Sequence, residues 1–332
     1  MRYFGSKSST VEHIYKLVTD IIPSGTICDP FGGIGIVGAY FKRKGYRVLC
    51  GDILTSAHYF QIARIERNRT PSFKRLRQAL KFSSVDEVVA SLNQGRGRDG
   101  WFANEYGTKR KFFTTINATR INECRLKINK WWNDGLLSLS EHAVLLASLI
   151  NCMDKVANTA GTYYAYLKTW YRKASKPFHF ELLRPTGGNP ECRAFLAEAR
   201  DVVAKVNCDV LYLDPPYNQR SYSKYYHLPE TIARGEAPRV YGKSGIPHVK
   251  RPDSDFNSLS KAKKALGELL TNANFKLLVF HYSDNGIISH KEISAVLEMF
   301  GRPEEFVINT KGYTTAQNPR DTTHRLFLLE ND

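Results

Sequence analysis

The 332-residue sequence has few of the features that mark secreted, zinc-binding or membrane proteins. Its six cysteines are scattered and form no C-x-x-C pair, so the spacing typical of a zinc site is absent. The first residues lack the central apolar stretch of a signal peptide, and no apolar run is long enough to cross a bilayer. These absences lead us to expect a cytoplasmic protein without a metal site.

Acidic residues are also scarce. Asp and Glu number 32 against 48 Lys and Arg, which gives a formal net charge of +16. Between positions 61 and 130, 16 basic residues stand against 6 acidic ones, so this segment alone contributes +10. A globular protein this basic generally meets a polyanion, and nucleic acid is the usual one. The sequence therefore predicts a nucleic-acid partner that is met chiefly by the middle of the chain.

The order of the predicted elements indicates an α/β fold with a helical insertion. A strand at residues 26–29, a glycine turn, a helix at 36–44 and a strand at 46–52 form the building block of a parallel sheet covered by helices. Buried strand patterns return at residues 208–214 and 276–282, and two last strands follow near the end. Between them, helical periodicity dominates from about residue 64 to residue 173.

A glycine-rich turn follows the first strand. Gly33-x-Gly35-x-x-Gly38 matches the dinucleotide fingerprint, and Asp52 ends the next strand. Glycines let the backbone approach a ligand closely, and an acid can accept hydrogen bonds from ribose hydroxyls. Enzymes that use NAD and methyltransferases that use S-adenosylmethionine (SAM) both need these features. The motif does not separate the two, and a purely structural glycine turn stays open as well.

A more specific motif follows the strand at residues 208–214. It consists of Asp214, Pro215, Pro216 and Tyr217. The prolines fix their own φ angles, restrict the preceding residues and donate no N–H, so the turn is stiff. It holds Asp214 at the carboxyl edge of the sheet, where open α/β sheets bind ligands.

The same four residues suit an aromatic amine as substrate. The Asp214 carboxylate and the Pro215 carbonyl can accept its two N–H bonds, and Tyr217 offers a face for stacking. The lone pair of such an amine is delocalised into its ring, which makes it a poor nucleophile. Two acceptors that draw the hydrogens out of the ring plane favour the geometry that attacks a sulfonium methyl.

With these motifs, the chain resembles the DNA adenine-N6 methyltransferases of the alpha arrangement, which include Dam-type and restriction-modification enzymes. The resemblance covers nearly the whole chain. It implies a SAM-methyltransferase, Rossmann-like fold with a mostly parallel seven-stranded sheet. It also implies a SAM-binding catalytic domain at residues 1–60 and 190–332, with a helical, basic target-recognition domain inserted at residues 61–189. The catalytic tetrapeptide of the family corresponds to residues 214–217.

The resemblance further implies which residues hold SAM. The N-terminal segment resembles the family's aromatic-x-Gly-Gly-Lys element, with Ser6 in place of the second glycine. Asp52 occupies the position of the acid that holds the ribose, and Asp201 resembles the acid that meets the SAM adenine. The cofactor-binding residues implied are Tyr3, Gly5, Lys7, Asp29, Pro30, Phe31, Gly33, Gly35, Asp52 and Asp201.

The proposed partner is double-stranded DNA. A base inside a duplex cannot reach such a pocket, so the target adenine must be flipped out. We expect a monomer, with any cognate restriction endonuclease acting separately. Candidate DNA-contacting residues, some of which simply pack, are Arg220, Tyr222, Lys224, Tyr225 and Tyr226, the groups Lys109–Lys111 and Arg64, Arg67 and Arg69, and the loop residues Lys243, His248, Lys250 and Arg251.

An aromatic and basic run at residues 158–173 has two interpretations of equal weight. The i, i+4 spacing of Tyr166 and Trp170 suits a helix that packs on the core. The same residues could instead reach the duplex or line the pocket.

Other functions stay open at this level. Methylation of cytosine N4 or of an RNA adenine uses the same amine chemistry. A methyltransferase fold that binds DNA without catalysis is the alternative from another class, although the intact tetrapeptide and Asp52 argue against it. An NAD-dependent enzyme ranks third, since nothing resembles a hydride-transfer site.

Overall fold

The computed structural model describes residues 7–310 and 322–331. Within these residues nine strands form two sheets. The strands are β1 (Thr26–Asp29), β2 (Arg47–Asp52), β3 (Arg193–Leu196), β4 (Val210–Leu213), β5 (Val240–Tyr241), β6 (Ile246–Pro247), β7 (Leu277–Ser283), β8 (Glu304–Thr310) and β9 (Thr322–Glu330).

Thirteen α-helices accompany the strands in the described part of the chain. They are α1 (Val11–Ile21), α2 (Ile36–Arg43), α3 (Thr55–Gln61), α4 (Lys74–Leu80), α5 (Val85–Asn93), α6 (Trp101–Ala103), α7 (Thr115–Asn133), α8 (Leu139–Lys155), α9 (Ala199–Val203), α10 (Tyr222–Tyr225), α11 (His227–Ala233), α12 (Ala262–Thr271) and α13 (His290–Leu297). Short π-helical turns lie at Ile62–Glu66 and Asn104–Thr108, and 3-10 turns at Arg172–Ser175 and Asp255–Asn257.

The larger sheet has seven strands in the order β3-β2-β1-β4-β7-β9-β8. Neighbours pair in parallel from β3 to β7, whereas β9 is antiparallel to both β7 and β8. The predicted α/β fold with a mostly parallel seven-stranded sheet is therefore confirmed. The central strands β4 and β7 are buried along their whole length, as expected for strands covered by helices on both faces.

The chain divides into two compact units. The sheet unit comprises residues 7–61, 186–221, 252–310 and 322–331. It contains the seven-stranded sheet with α1, α2, α3, α9, α12 and α13. Its core packs apolar strand residues against α9, α12 and α13, with Leu213, Leu266, Leu278 and Phe280 fully buried.

The helical unit comprises residues 62–185 and 222–251. Its longest elements are α7 and α8, which pack on each other. A capping box begins α8: Ser138 accepts from the Glu141 N–H, while the Glu141 carboxylate accepts from the Ser138 N–H. Residues 222–251, which the sequence analysis assigned to the catalytic domain, lie in this unit and supply α10, α11 and the β5–β6 hairpin.

The aromatic and basic run at residues 158–173 is not helical. It lies between the end of α8 and the start of α9, and the structure shows no α-helix between these two elements among the described residues. The helical interpretation of this run is therefore wrong.

Among the residues that the structure describes, none of the helices has the length and apolar character that a membrane span requires.

Candidate active site

Three acidic residues lie at one edge of the large sheet. Asp29 and Asp52 end β1 and β2, and Asp214 directly follows β4. Since β1 pairs in parallel with both β2 and β4, the carboxyl ends of the three strands meet at the same edge. This is the edge at which open α/β sheets bind ligands.

The glycine turn between β1 and α2 is held in a shape that glycine makes possible. Gly33 has a φ of 51° and Gly35 a φ of 75°, both in the left-handed region. The Gly33 N–H donates to Oδ2 of Asp52 at 3.1 Å, and the Leu54 N–H donates to Oδ1 at 2.8 Å. Asp52 thus fixes the shape of the turn from the end of β2.

Gln61 is a residue of this turn that the sequence analysis missed. Its side chain is fully buried, and its amide donates to the carbonyls of Gly33 at 2.9 Å and Gly51 at 3.2 Å. It ties the glycine turn to the end of β2. A lone glutamine at the end of a helix carries no sequence signal for this role, because the role depends on tertiary packing.

Asp29 is a buried acid with spare hydrogen-bonding capacity. Only 2% of the residue is exposed. Its Oδ1 atom has no hydrogen-bond partner among the described residues. Burial and then the charges of Asp214 and Asp52 raise the pKa of Asp29 well above its ordinary value. A buried acceptor without a partner at a ligand-binding edge is what a donor on a bound ligand would satisfy.

We predict that Asp29→Asn stabilises the ligand-free protein at neutral pH. Because the pKa of Asp29 is raised on folding, the folded state binds a proton that the unfolded state releases, and stability falls as pH rises between the two pKa values. Urea denaturation over a pH series should show this loss in the wild type and a smaller one in Asp29→Asn. The exposed Asp255→Asn serves as the control and should follow the wild type; equal pH dependence in all three would contradict the assignment.

Asp214 pairs with Lys7, which the sequence analysis placed among the cofactor-binding residues. The Lys7 ammonium lies 2.5 Å from Oδ2 of Asp214, and the two side chains are 7% and 17% exposed. Burial raises the pKa of Asp214, whereas the charge and hydrogen bond of Lys7 lower it. The ammonium thus favours the carboxylate form, which is the form that accepts hydrogen bonds from an amine.

The turn after Asp214 is held from several sides within the sheet unit. Pro215 is buried, and Pro216 and Tyr217 are half-buried. The Tyr217 ring meets the rings of Tyr282 and His324 edge-on, at centroid distances of 6.3 and 5.9 Å. The Tyr217 carbonyl accepts from the Ile287 N–H at 3.0 Å. These contacts fix the position of the Tyr217 ring.

A hydrogen-bonded chain of three side chains lies beside this turn, and the sequence analysis did not identify it. Nδ1 of His281 lies 3.2 Å from the Tyr212 hydroxyl, and its Nε2 lies 3.1 Å from Nδ1 of His324. Burial and the charge of Lys7 lower the pKa of both histidines, that of His324 to about 4. Both rings are therefore neutral at physiological pH.

The remaining predicted cofactor residues differ in their surroundings. Pro30 is buried, and the Phe31 ring packs edge-on against Phe256 at 5.1 Å. Tyr3 and Gly5 lie outside the described residues.

Asp201 lies on α9 with its side chain 54% exposed, close to Arg200. Glu198, 53% exposed and also paired with Arg200, follows the end of β3 more directly: the Ala197 N–H donates to the Asp52 carbonyl, and Glu198 is the next residue and precedes α9. Glu198 is therefore a second candidate, beside Asp201, for the acid that meets the SAM adenine. Knowing from the sequence where β3 ends would have pointed to it.

The candidate DNA-contacting residues are partly engaged inside the protein. Tyr225 and Tyr226 are 6% and 0% exposed and pack in the helical unit. Lys109 and Arg110 pair with Glu105, and Arg67 donates to Ser140 at 2.9 Å. In contrast, Lys111, Lys243, His248 and Lys250 are exposed.

Comparison with known proteins adds independent evidence on the family. The family model for D12 class N6 adenine-specific DNA methyltransferases matches residues 3–296. The type II methyltransferase M.FokI of Planomicrobium okeanokoites is 34% identical over 100% of this chain and 53% of that protein. The modification methylase StsI of Streptococcus sanguinis is 32% identical over 90% of this chain and 46% of that protein. The chain thus spans about half the length of these relatives.

A relative of similar length shows the same likeness. The type II methyltransferase M.NlaIII of Neisseria lactamica is 29% identical over 91% of this chain and 89% of that protein. The resemblance predicted from the glycine turn and from residues 214–217 is confirmed by these matches. This chain belongs to the D12 class N6 adenine-specific DNA methyltransferase family.

Proposed function

We propose that this chain transfers the methyl group of SAM to N6 of a flipped-out adenine in double-stranded DNA. The observation that carries the proposal is the placement of Asp214 and Tyr217. A rigid turn holds them at the sheet edge next to Asp29, the glycine turn and Asp52. An acceptor pair for an amine and a group of residues suited to a nucleotide-like cofactor thus share one edge.

The residues at this edge fit SAM. Asp29 offers a buried oxygen without a partner among the described residues, which suits the amino group of the methionine part. Asp52, at the end of β2 beside the glycine turn, is the acid that accepts from ribose hydroxyls, and Gly33 and Gly35 leave the backbone open to close approach. SAM supplies a methyl group that is already activated on a sulfonium. All other catalytic work falls to the chain.

The catalytic work consists of positioning and electrostatics. The Asp214 carboxylate and the Pro215 carbonyl accept the two N–H bonds of the adenine amine and orient its lone pair toward the methyl group. Burial raises the pKa of Asp214, and the Lys7 ammonium opposes this by favouring the carboxylate form. The Tyr217 ring, fixed by Tyr282 and His324, stacks on the flipped base.

We further propose that the helical unit is the target-recognition domain and that the residue 222–251 segment belongs to it. The basic excess between positions 61 and 130 supports a nucleic-acid partner. The names of the relatives, type II methyltransferases and modification methylases, support a role as the modification enzyme of a restriction-modification system. On this proposal the enzyme acts as a monomer, and any cognate endonuclease acts separately.

Transfer of radiolabelled methyl from SAM to in vitro amplified duplex DNA tests this function. We expect acid-precipitable label on duplex DNA and none on duplex RNA of the same sequence. Calorimetry should show binding of SAM and none of NAD. Label on RNA alone, or on no nucleic acid, would overturn the proposal.

The position of Glu198 leads to a prediction on cofactor binding. Since Glu198 directly follows the residue that bonds to Asp52, we expect Glu198→Ala to weaken SAM binding roughly tenfold, the scale of one charge-assisted hydrogen bond. Asp201→Ala, three residues further along the chain on α9, should change it less than twofold. Asp52→Ala, which also frees the glycine turn, should have the largest effect of the three. Calorimetry with SAM measures the affinity of all three variants. A larger loss of affinity at position 201 than at position 198 would favour Asp201 as the acid that contacts the SAM adenine.

A further inference from the structure

One buried asparagine closes a long exposed loop in the helical unit. The Asn158 side chain is fully buried, and its amide donates to the carbonyls of Lys111 and Leu167, each at 3.0 Å. Its Oδ1 accepts from the Tyr171 N–H at 2.8 Å, and its carbonyl accepts from the Leu167 N–H at 3.0 Å. We call residues 158–173 the clamped loop. Its two ends are fixed although it contains no α-helix.

The clamped loop presents aromatic rings and cations to solvent. Trp170 and Tyr171 are 44% and 45% exposed, although large aromatic side chains are normally well covered. Lys168 and Arg172 are exposed beside them, and neither forms an ion pair with any residue that the structure describes. The buried Tyr163, in contrast, packs inward. Tyr163 thus anchors the loop in the helical unit, whereas Trp170 and Tyr171 lie on its solvent-exposed face.

A two-stranded hairpin adjoins this loop. It comprises residues 240–247, with β5 and β6 paired antiparallel. The Ser244 hydroxyl donates to the Tyr164 carbonyl of the clamped loop. The Tyr106 hydroxyl donates to the Gly245 carbonyl at 2.8 Å, and Arg110 donates to that of Gly242 at 3.1 Å. The hairpin is therefore held at its tip, where Lys243 is exposed.

Both segments lack acidic residues. Residues 158–176 contain four basic residues and no Asp or Glu, and residues 237–251 likewise contain four and none. In a chain with 32 acidic residues, two adjoining acid-free segments produce a surface of one sign. Cations and exposed aromatic rings on segments whose backbones are held by hydrogen bonds suit a polyanion with stackable bases. A protein or membrane partner would instead favour a continuous apolar patch.

We propose that the clamped loop and the hairpin together form the surface that binds duplex DNA, which rests on and deepens the function proposed above. Lys168, Arg172 and Lys243 hold phosphates. A two-stranded ribbon has the width of the major groove. The exposed Trp170 ring stacks on a base or enters a base step, as aromatic residues do on nucleic acids. Asn158 positions this ring by closing the loop.

Fluorescence anisotropy with a fluorescein-labelled DNA duplex, over a series of KCl concentrations and without SAM, tests the surface. Trp170→Ala should weaken binding roughly tenfold and leave the salt dependence unchanged, since stacking releases no counterions. Lys168→Gln and Lys243→Gln should each reduce the slope of log K against log salt by about 0.9, the loss of one phosphate contact. The affinity thus reports stacking by Trp170, and the salt slope reports the phosphate contacts of the two lysines.

Two variants outside the proposed surface serve as controls. Trp132 is 38% exposed but stacks on His142 at 4.4 Å, and Lys264 is an exposed lysine of α12, outside the basic segment at residues 61–130. Trp132→Ala and Lys264→Gln should leave affinity and salt slope unchanged, and thermal unfolding should show that every variant folds.

The possible outcomes separate this surface from the function on which it rests. If the wild type binds and methylates duplex DNA while the test variants behave like the controls, the surface is overturned and the function stands. Tighter binding of duplex RNA with the same sensitivity to the variants would overturn DNA as the partner. A wild type that neither binds nor methylates duplex DNA would overturn the proposed function, and the surface with it.

Discussion

Replacing Asp214 by alanine is expected to reduce methyl transfer to duplex DNA roughly 10²–10³-fold, the usual effect of removing one preorganised group at the reacting centre. The affinity for SAM should stay within a few fold of the wild type. Asp214 lies on the amine side of the proposed site, whereas Asp29, Asp52 and the glycine turn lie on the cofactor side. The loss should therefore appear in the single-turnover rate and spare cofactor binding.

Two further variants make this result specific. Asp214→Asn keeps one carbonyl acceptor but loses the charge, so its rate should fall between those of the wild type and Asp214→Ala. Asp255→Ala removes an exposed acid that pairs with Lys261 at 3.0 Å, and it should leave the rate unchanged, because surface ion pairs contribute little. Wild-type rates in Asp214→Ala would contradict the assignment of this carboxylate as an acceptor for the amine.

Replacing Lys7 by methionine is expected to lower the rate at neutral pH at least about tenfold and to move the acid limb of the rate profile to higher pH. Burial raises the pKa of Asp214, and Lys7 lowers it. Without the ammonium only the raising influences remain, so the carboxylate takes up a proton at a higher pH than in the wild type. The amine then loses its charged acceptor over a wider pH range. At high pH the two rates should converge.

Single-turnover rates at saturating SAM, measured over a pH series, test this prediction. Lys16→Met is the control, since Lys16 is exposed and meets Glu12 at 3.7 Å on the surface of α1. The charge of Lys7 also lowers the pKa of His281 and His324. The Lys7→Met, His324→Gln double variant should keep the shift if Asp214 causes it. A Lys7→Met profile that is scaled down uniformly, with no shift, would contradict the proposed role of Lys7.

The sheet could be predicted from the sequence where its strands are buried on both faces. Residues of β1, β2, β4 and β7 form continuous apolar runs, and such runs mark central strands of a parallel sheet. The four residues of β3 are half-buried or exposed, and the strand is too short for a clear pattern. The sequence pattern therefore does not mark the end of β3, and Glu198 joins Asp201 as a candidate for the acid that follows this strand only once the structure is known.

The candidate site could be predicted where function depends on residues adjacent in sequence. The glycine turn and residues 214–217 are of this kind, because turn chemistry and strand ends are local properties. The contacts of Lys7 with Asp214 and of Gln61 with the glycine turn join segments that are distant in sequence, so only tertiary structure shows them. The same reason applies to Asn158, whose hydrogen bonds with Leu167 and Tyr171 close the clamped loop.

The sequence also could not show which segments belong to each of the two units. Residues 222–251 follow the motif at 214–217 directly and were assigned to the catalytic domain, yet they lie in the helical unit. The hydrogen bonds of the Tyr106 hydroxyl with the Gly245 carbonyl and of Arg125 with the Glu236 carbonyl hold this segment there. Composition does not separate this segment from its neighbours, so a contiguous insertion was the simplest prediction.

The central claim is that the base is adenine, the position is N6 and the polymer is DNA. The most direct test is to methylate in vitro amplified duplex DNA with the purified protein and labelled SAM, digest the DNA to nucleosides and separate them by chromatography with mass detection. The account predicts that all label elutes as N6-methyldeoxyadenosine and that Asp214→Ala yields none. Label in N4-methyldeoxycytidine, or recovery of label only from RNA, would contradict it.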